Sequence, residues 1–379
     1  MFQAIKEFRI GRPQIYAGLM LLAFLAQCLF ASASRKLSPL ENEYVSSGFA
    51  RRVDNGDGNG MSPLTDLAAA LPFKLAHKAA GSIIGQQWIV PPRWVARLPF
   101  AVFGLWLGGA LWWVARRLFD DAGGYVALGL YCSSPAMVMI SSNIGPEVLL
   151  AWSIFGLIYT AIGVAHTLYA PPKKWLPRIV ILGLAIGFSL ATALWSFTVV
   201  LLALAFMLYL APGRRRDAFI VLLSGSAIGI AIYAVFVAIA GAPSLGTRDL
   251  VTPRLSLEPL RNLKFVFADG YTDLNSFLFV AFFIAALTAY GSWRRARYFG
   301  NTAPLLTAFA AVLLFALVPS IHIWNATLGL SFVFIFVGGI AADLLETGFG
   351  RTVAAILVAG ILARAVLSLW ALSRWVHNP

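Results

Sequence analysis

Charge is scarce in this chain. Only 12% of its 379 residues are charged, whereas 60% are hydrophobic, and a soluble domain carries roughly 25% charged residues. Its apolar runs are long enough to cross the hydrocarbon core of a bilayer, which takes about 20 residues each. The composition therefore excludes an ordinary soluble domain and predicts an integral, multi-pass membrane protein.

Cysteine is nearly absent, and so are the short motifs of nucleotide and zinc chemistry. Cys28 and Cys132 both lie in apolar segments, which is typical of small packing residues rather than of disulfide or metal ligands. The sequence contains no Walker A loop, Rossmann glycine fingerprint, HExxH motif or CxxC pair. These absences argue against ATP-driven transport and zinc chemistry.

The basic residues give a formal net charge of +13, yet they form no continuous basic face. This distribution argues against nucleic-acid binding. Instead they cluster between apolar runs, on one side of a topology of about eleven spans, and the positive-inside rule makes that side cytoplasmic. The N-terminus is then predicted to be cytoplasmic and the C-terminus periplasmic. The clusters are Lys6/Arg9/Arg12, Arg116/Arg117, Lys173/Lys174/Arg178, Arg214/Arg215/Arg216, Arg294/Arg295/Arg297 and Arg351.

The predicted architecture is an all-α polytopic membrane protein, with a single transmembrane domain over residues 1–379. Residues 35–96 and 242–275 are its predicted first and second periplasmic loops. Segments 41–52 and 64–80 each have an apolar and a basic side, which predicts interfacial helices in the first loop. The spans are expected at about 14–33, 98–115, 123–140, 147–168, 178–193, 195–211, 218–240, 276–291, 303–319, 324–344 and 352–371.

A short acidic stretch, Glu41-Asn42-Glu43-Tyr44, directly follows the first predicted span. Carboxylates are costly to desolvate near a membrane and do not help insertion, so this stretch is the first candidate for chemistry. A structural interpretation stays open, because an acid in the first turn also stabilises a helix.

Other polar residues are predicted to reach the same face. Carboxylates there can act as a general base or hold a divalent cation such as Mg²⁺ or Mn²⁺, and cations can stabilise a departing phosphate. Simpler interpretations are an ordinary proline-acid helix start at Glu147, contacts of loop cations with lipid headgroups and a solvated histidine. The candidates are Asn143, Glu147, Arg248, Arg254, Arg261, Lys264 and His322.

Six segments within about the first 170 residues carry a resemblance by their order and spacing. They are Glu41–Tyr44, Ser62–Leu64, Ala96–Phe100, Ala115–Phe119, Ser134–Pro135 and Pro146–Glu147. This layout resembles the bacterial GT-C superfamily of glycosyltransferases, more narrowly the ArnT/PMT-like and RgtA-like membrane transferases. The family more often has an aspartate as its first acid and a His-Pro-Pro element after the first loop, and this chain has neither.

This resemblance implies a GT-C-like helical bundle and an inverting transferase at the periplasmic face of a bacterial inner membrane. Its donor would be a polyprenyl-phosphate-linked sugar, and its acceptor would be a hydroxyl of a lipid-linked glycan, a lipid or a surface polymer. Membrane lipids would surround the protein. Glu41 or Glu43 would be the catalytic base, with Glu147, Asn143 and Tyr44 assisting the acceptor or a metal. The residues implied for the carrier phosphate are Arg248, Arg254, Arg261, Lys264 and His322.

Two other functions stay open. One is a non-catalytic membrane subunit or lipid-linked-saccharide transporter with the same fold, acting with a membrane protein partner. A transporter is expected to have charges within its spans, and Arg364 is the clearest example here. The other is a lipid-directed acyltransferase, which is disfavoured because no helical His-acid pair is evident.

Overall fold

The computed structural model describes residues 12–49, 62–81, 93–169, 171, 175–240, 274–293, 306–310 and 327–377. In this part of the chain the regular structure is helical and no strand occurs. Seven of its helices are long and apolar enough to cross a membrane, and two shorter apolar helices accompany them. The all-α polytopic class is confirmed. Most of the predicted span 303–319 lies outside the described residues, so the count of about eleven stays a prediction.

The described part of the chain begins with a helix long enough to span a membrane, followed by two shorter helices. Helix α1 is Arg12–Ser34, α2 is Pro39–Phe49 and α3 is Pro63–Gly81. Helices α2 and α3 correspond to the two predicted helices of the first loop. Each begins with a proline, whose missing N–H group is not needed in the first turn of a helix.

Helix α4, Leu98–Cys132, is a helical hairpin. Its 35 residues would extend about 50 Å if straight, well beyond a bilayer core. Phe119 and Asp120 instead have non-helical backbone angles, and the chain reverses there. The Tyr131 hydroxyl consequently donates to the carbonyl of Gly104 at 2.6 Å. The predicted span 98–115 therefore lies in the first arm of the hairpin, whereas the predicted span 123–140 is divided between the second arm and a separate helix that begins at Pro135.

A short helix follows the hairpin. Helix α5, Pro135–Ser142, begins at a break where the Ser134 side chain accepts a hydrogen bond from the N–H of Met137. This is the predicted Ser-Pro kink, in which a capping serine and a proline in the first turn start a new helix. Helix α6, Pro146–Thr167, begins after a tight turn.

The remaining helices complete the bundle, and its core is rich in aromatic side chains. The Phe334 ring lies 6.4 Å from Tyr131 and 5.9 Å from Phe279 between ring centroids, within the range of favourable edge-to-face contacts. Many large apolar side chains stay exposed on the outside, as expected of a surface that faces lipid. The helices are α7 Leu176–Thr192, α8 Phe197–Leu210, α9 Arg215–Ala240, α10 Leu274–Trp293, α11 Leu330–Leu345 and α12 Gly350–His377.

One end of the bundle gathers segments that are distant in the sequence. The end of α1, the start of α2, the start of α4 and the turn between α5 and α6 meet there. The last turn of α12 joins them, because the Trp375 ring lies against Arg35. We call this region the site end. Arg116 lies beside the hairpin turn of α4, at the opposite end.

Candidate active site

A cavity of about 150 Å³ opens at the site end. It is bounded by the chain after α1, the first turn of α2 and the turn between α5 and α6. Glu41, Asn143 and Glu147, all predicted as site residues, line it together, although about a hundred positions separate the first from the other two. The other lining residues are Arg35, Ser38, Leu40, Ile140 and Ile144.

Glu41 caps helix α2. Its backbone N–H donates to the Ser38 hydroxyl at 3.2 Å, and its carboxylate accepts from the N–H of Ser38 at 2.8 Å. This reciprocal pair is a capping box, which satisfies two backbone donors that a helix start would otherwise leave open. The structural interpretation left open for Glu41 is therefore present in the molecule.

The same carboxylate forms a buried ion pair with Arg97. The Arg97 Nε and Nη2 atoms lie 2.8 and 2.7 Å from the two Glu41 oxygens, and the exposed fractions of these residues are only 1% and 4%. The N–H of Ile144 donates to one of the oxygens at 3.0 Å. With the bond from Ser38, each Glu41 oxygen accepts two hydrogen bonds.

Arg97 uses every donor that it has. A guanidinium carries five N–H groups, and besides the two bonds to Glu41 three more reach backbone carbonyls. These acceptors are Ser32, Arg35 and Lys36, at 2.8, 2.9 and 3.0 Å. The Glu41–Arg97 pair thus ties together the end of α1, the start of α2, the start of α4 and the turn after α5.

These contacts determine the ionisation of Glu41. Burial by itself raises the pKa of its carboxyl, but the hydrogen bonds and positive charge of Arg97 lower it, and so do the N–H groups of Ser38 and Ile144. The net result is a pKa below the ordinary value. Glu41 is therefore ionised at neutral pH and holds its negative charge too firmly for an effective proton acceptor.

Glu147 is the second carboxylate of the cavity. It stands in the first turn of α6, after Pro146, and only 9% of its surface is exposed. The carboxylate folds back over Gly145, where a Cβ atom would lie 2.1 Å from one of its oxygens. Gly145 therefore leaves the space in which this carboxylate sits.

Arg35 and Asn143 line the same cavity as these acids. The Arg35 Nη1 atom donates to the Asn143 side-chain oxygen at 3.1 Å, and its guanidinium carbon lies 3.8 Å from the centre of the Trp375 ring. Sequence reasoning did not predict Arg35, Arg97 or Trp375 as site residues, although Arg97 lies in the Ala96–Phe100 segment that carries the family resemblance. A capping-box spacing from Ser38 to Glu41 was readable, but nothing local indicated that an arginine before α4 would reach it.

The remaining predicted site residues divide into two groups. Glu43 is exposed on α2 and Tyr44 packs into the core, so neither lines this cavity. Within the described residues no group of three or more His, Cys, Asp or Glu side chains is placed to hold a metal ion, and a divalent cation stays a prediction. The residues that lie outside the described part of the chain are Arg248, Arg254, Arg261, Lys264 and His322.

Comparison with known proteins supports the resemblance seen in the sequence. The family model for dolichyl-phosphate-mannose-protein mannosyltransferase matches residues 89–239, a region that contains Arg97, Asn143 and Glu147. No curated protein matches the chain significantly. The family match covers less than half of the chain, so it supports the site region most directly.

Two crystal structures of ArnT from Cupriavidus metallidurans have a similar fold. The structure bound to undecaprenyl phosphate superposes with a TM-score of 0.62 at 15% identity, over 95% of this chain and 73% of that one. The apo structure gives a TM-score of 0.58 at 15% identity, over 95% and 72%. The chain therefore has the fold of these structures, and the GT-C-like helical bundle predicted from the sequence is confirmed.

Proposed function

We propose that this chain, a multi-pass membrane protein with the GT-C fold, transfers a sugar from a polyprenyl-phosphate donor to a hydroxyl acceptor. The observation that carries the proposal is the cavity at the site end, where the Glu147 carboxylate and the Arg35 guanidinium share one space. A transferase of this kind needs a base for the acceptor proton and a cation for the phosphate that leaves. The relative with bound undecaprenyl phosphate supports the class of donor.

The distribution of charge supports a periplasmic position for this cavity, in a bacterial inner membrane. Arg116 and Arg117 precede the turn of the α4 hairpin, and Arg178 lies beside Gly163 near the end of α6, both at the end opposite the cavity. Basic residues concentrate on the cytoplasmic side of membrane proteins. The site end then faces the periplasm, where lipid-linked sugars meet acceptors of the cell envelope.

The proposed reaction is a single displacement. The acceptor oxygen forms a bond to the anomeric carbon of the sugar, while the bond from that carbon to the phosphate oxygen breaks. The acceptor proton passes to a carboxylate, and the polyprenyl phosphate leaves with the electron pair, so that the anomeric configuration inverts.

Among the predicted acids, Glu147 is the best supported base. Glu41 holds four hydrogen bonds and an ion pair, and we assign it to positioning. Glu43 does not line the cavity, and its role as a base stays a prediction with less support. Asn143 also lines the cavity, and its proposed role is to orient the acceptor or the donor.

The test measures the rate of sugar transfer by the purified full chain in proteoliposomes, with a panel of radiolabelled polyprenyl-phosphate sugars and lipid acceptors. Glu147→Gln is expected to lower the transfer rate by roughly a hundredfold or more, because general-base catalysis contributes about that much. Glu346→Gln, an acid at the end of α11 and away from the cavity, serves as the control. If E147Q transfers at the wild-type rate while E43Q does not, the base is Glu43.

Gly145→Ala refines this test. The added Cβ would displace the Glu147 carboxylate without removing it, so a loss of transfer smaller than that of E147Q is expected. Gly156→Ala is the matched control on the same helix, since a Cβ there meets nothing within 4 Å.

A non-catalytic membrane subunit is the second candidate. One observation favours it: the acid nearest the expected catalytic position, Glu41, is neutralised by Arg97. Binding of polyprenyl phosphate without turnover across the whole donor panel would support this function over transfer.

A further inference from the structure

Arg35 is the basic residue among the described side chains that line the cavity. It lies just beyond the last residue of α1, is half-buried, and lines the cavity directly. Among the described lining residues no lysine, histidine or second arginine occurs. A negatively charged group that enters this space therefore meets Arg35 as its nearest neutralising side chain.

Arg97 cannot take that role, although it lies close by. Each of its five N–H groups already has an acceptor, and its side chain is almost fully buried. Releasing any of these bonds would leave Glu41 or a backbone carbonyl buried without its donor, which is costly. The structure thus separates two arginines, one that holds the fold and one that faces the cavity.

The Trp375 ring covers one face of the Arg35 guanidinium. The ring lies 3.8 Å from the guanidinium carbon, while all N–H donors of a guanidinium lie in its plane. Asn143 fixes the rotation within that plane through its side-chain oxygen. Pre-ordering of this kind lowers the entropic cost of binding an anion by a planar fork of donors.

We propose that Arg35, stacked on Trp375 of the last helix, binds the phosphate of the polyprenyl-phosphate donor in this cavity. The proposal rests on the function proposed above and adds its binding residue. Arg35 contacts the ligand, whereas Trp375 is a positioning residue that acts through Arg35. Helix α12 consequently completes the site, although Trp375 is 228 positions further along the chain than Glu147, the last of the lining residues.

The test measures the binding of undecaprenyl phosphate to the purified full chain in phosphatidylcholine nanodiscs. Arg35→Ala is expected to weaken binding by roughly tenfold to a hundredfold, as for the loss of a hydrogen-bonded charge. Arg35→Lys keeps the charge and loses the fork, so an intermediate affinity is expected. Inorganic phosphate and phosphatidylglycerol serve as separate probes, because each carries phosphate without the polyprenyl chain.

The last helix offers a matched pair of variants. Trp375→Ala is expected to weaken binding by roughly threefold to tenfold, with recovery in Trp375→Phe, which restores a ring. Arg374→Ala is the control, because Arg374 stacks on Trp370 at 3.6 Å at the same helix end and does not line the cavity. Loss of a merely structural contact would lower the thermal midpoint and leave the affinity unchanged.

The outcomes separate this proposal from the proposed function. Tight binding by wild type and R35A alike overturns the role of Arg35 and leaves the transferase intact. An equal loss of phosphatidylglycerol binding in R35A would also overturn it, since Arg35 would then be a general headgroup contact. If R35A loses binding while the wild-type protein binds but shows no transfer, the role of Arg35 is supported and the transferase function is contradicted. No binding by wild type overturns both.

Discussion

At the scale of single residues, the Glu41–Arg97 pair shows how a carboxylate in a cavity can have a structural role. A buried ion pair contributes little net stability when intact, because desolvation of both charges offsets their attraction. Breaking it is different, since one charge is then buried alone. Here the arginine also satisfies three backbone carbonyls in the last turn of α1 and just beyond it, so it shapes the wall of the cavity.

Removal of Arg97 is expected to be strongly destabilising. Arg97→Ala leaves Glu41 and three carbonyls without their donor, and a loss of about 3–5 kcal/mol in the free energy of unfolding is expected. The destabilisation is read as a lower thermal midpoint of the detergent-purified protein. Arg116→Ala is the control, because the Arg116–Asp121 pair is partly exposed, and such pairs contribute about 0–1 kcal/mol. Equal shifts in both variants would contradict the role given to Arg97.

The lowered pKa of Glu41 predicts a dependence of stability on acid. A carboxyl group whose pKa is lower in the folded state stabilises the fold fully above its unfolded pKa, which is about 4.3, and this contribution is lost as the pH falls through the folded value. The thermal midpoint of the wild-type protein should therefore decrease when the pH is lowered below about 4.3. In Glu41→Gln the midpoint should be lower at neutral pH and fall less on acidification. Parallel curves for the two proteins would refute this assignment.

At the scale of helices, close packing depends on small residues at facing positions. Gly183 and Gly187 of α7 lie against Gly225 and Gly229 of α9 with a four-residue spacing. Such spacing lets membrane helices approach until their backbones touch, where packing rather than hydrophobic burial drives association. The pattern was present in the sequence, but which helix would meet which was decided only in the folded bundle.

A larger side chain in this contact should separate α7 from α9. In Gly187→Leu the new Cβ would lie 2.7 Å from the Ile232 side chain and 3.0 Å from the carbonyl oxygen of Gly229. A loss of about 1–3 kcal/mol is expected from overpacking, read as a lower thermal midpoint. Gly18→Leu in α1 is the control, because a Cβ there meets nothing within 4 Å. A wild-type midpoint in G187L would show that the contact is loose.

At the scale of the whole molecule, orientation in the membrane decides whether the proposed reaction is possible. Polyprenyl-phosphate sugars can reach Arg35 and Glu147 only if the site end lies on the side where the donor headgroup is displayed. Positive charge at the opposite end supports a periplasmic site. Orientation is also a property that the fold alone does not determine.

Labelling of single cysteines tests the orientation of the site end in the membrane. Leu40→Cys at the site end should react with an impermeant maleimide added to intact spheroplasts, and Gly348→Cys, between α11 and α12, should react only after lysis. Both positions are exposed, whereas the native Cys28 and Cys132 are buried and give a low background. The reverse pattern would place the cavity in the cytoplasm and end the periplasmic proposal.

The sequence by itself determined the class of the protein, because long apolar runs with few charges have only one favourable environment. It also located the loop helices, the Ser134–Pro135 break and the acids Glu41 and Glu147, since caps, prolines and misplaced charges act locally. It left open which acid is structural. Only the tertiary structure decided that, by bringing Arg97 to Glu41 and Trp375 to Arg35. Contacts between residues 56 and several hundred positions apart depend on how the helices pack, and no local pattern encodes them.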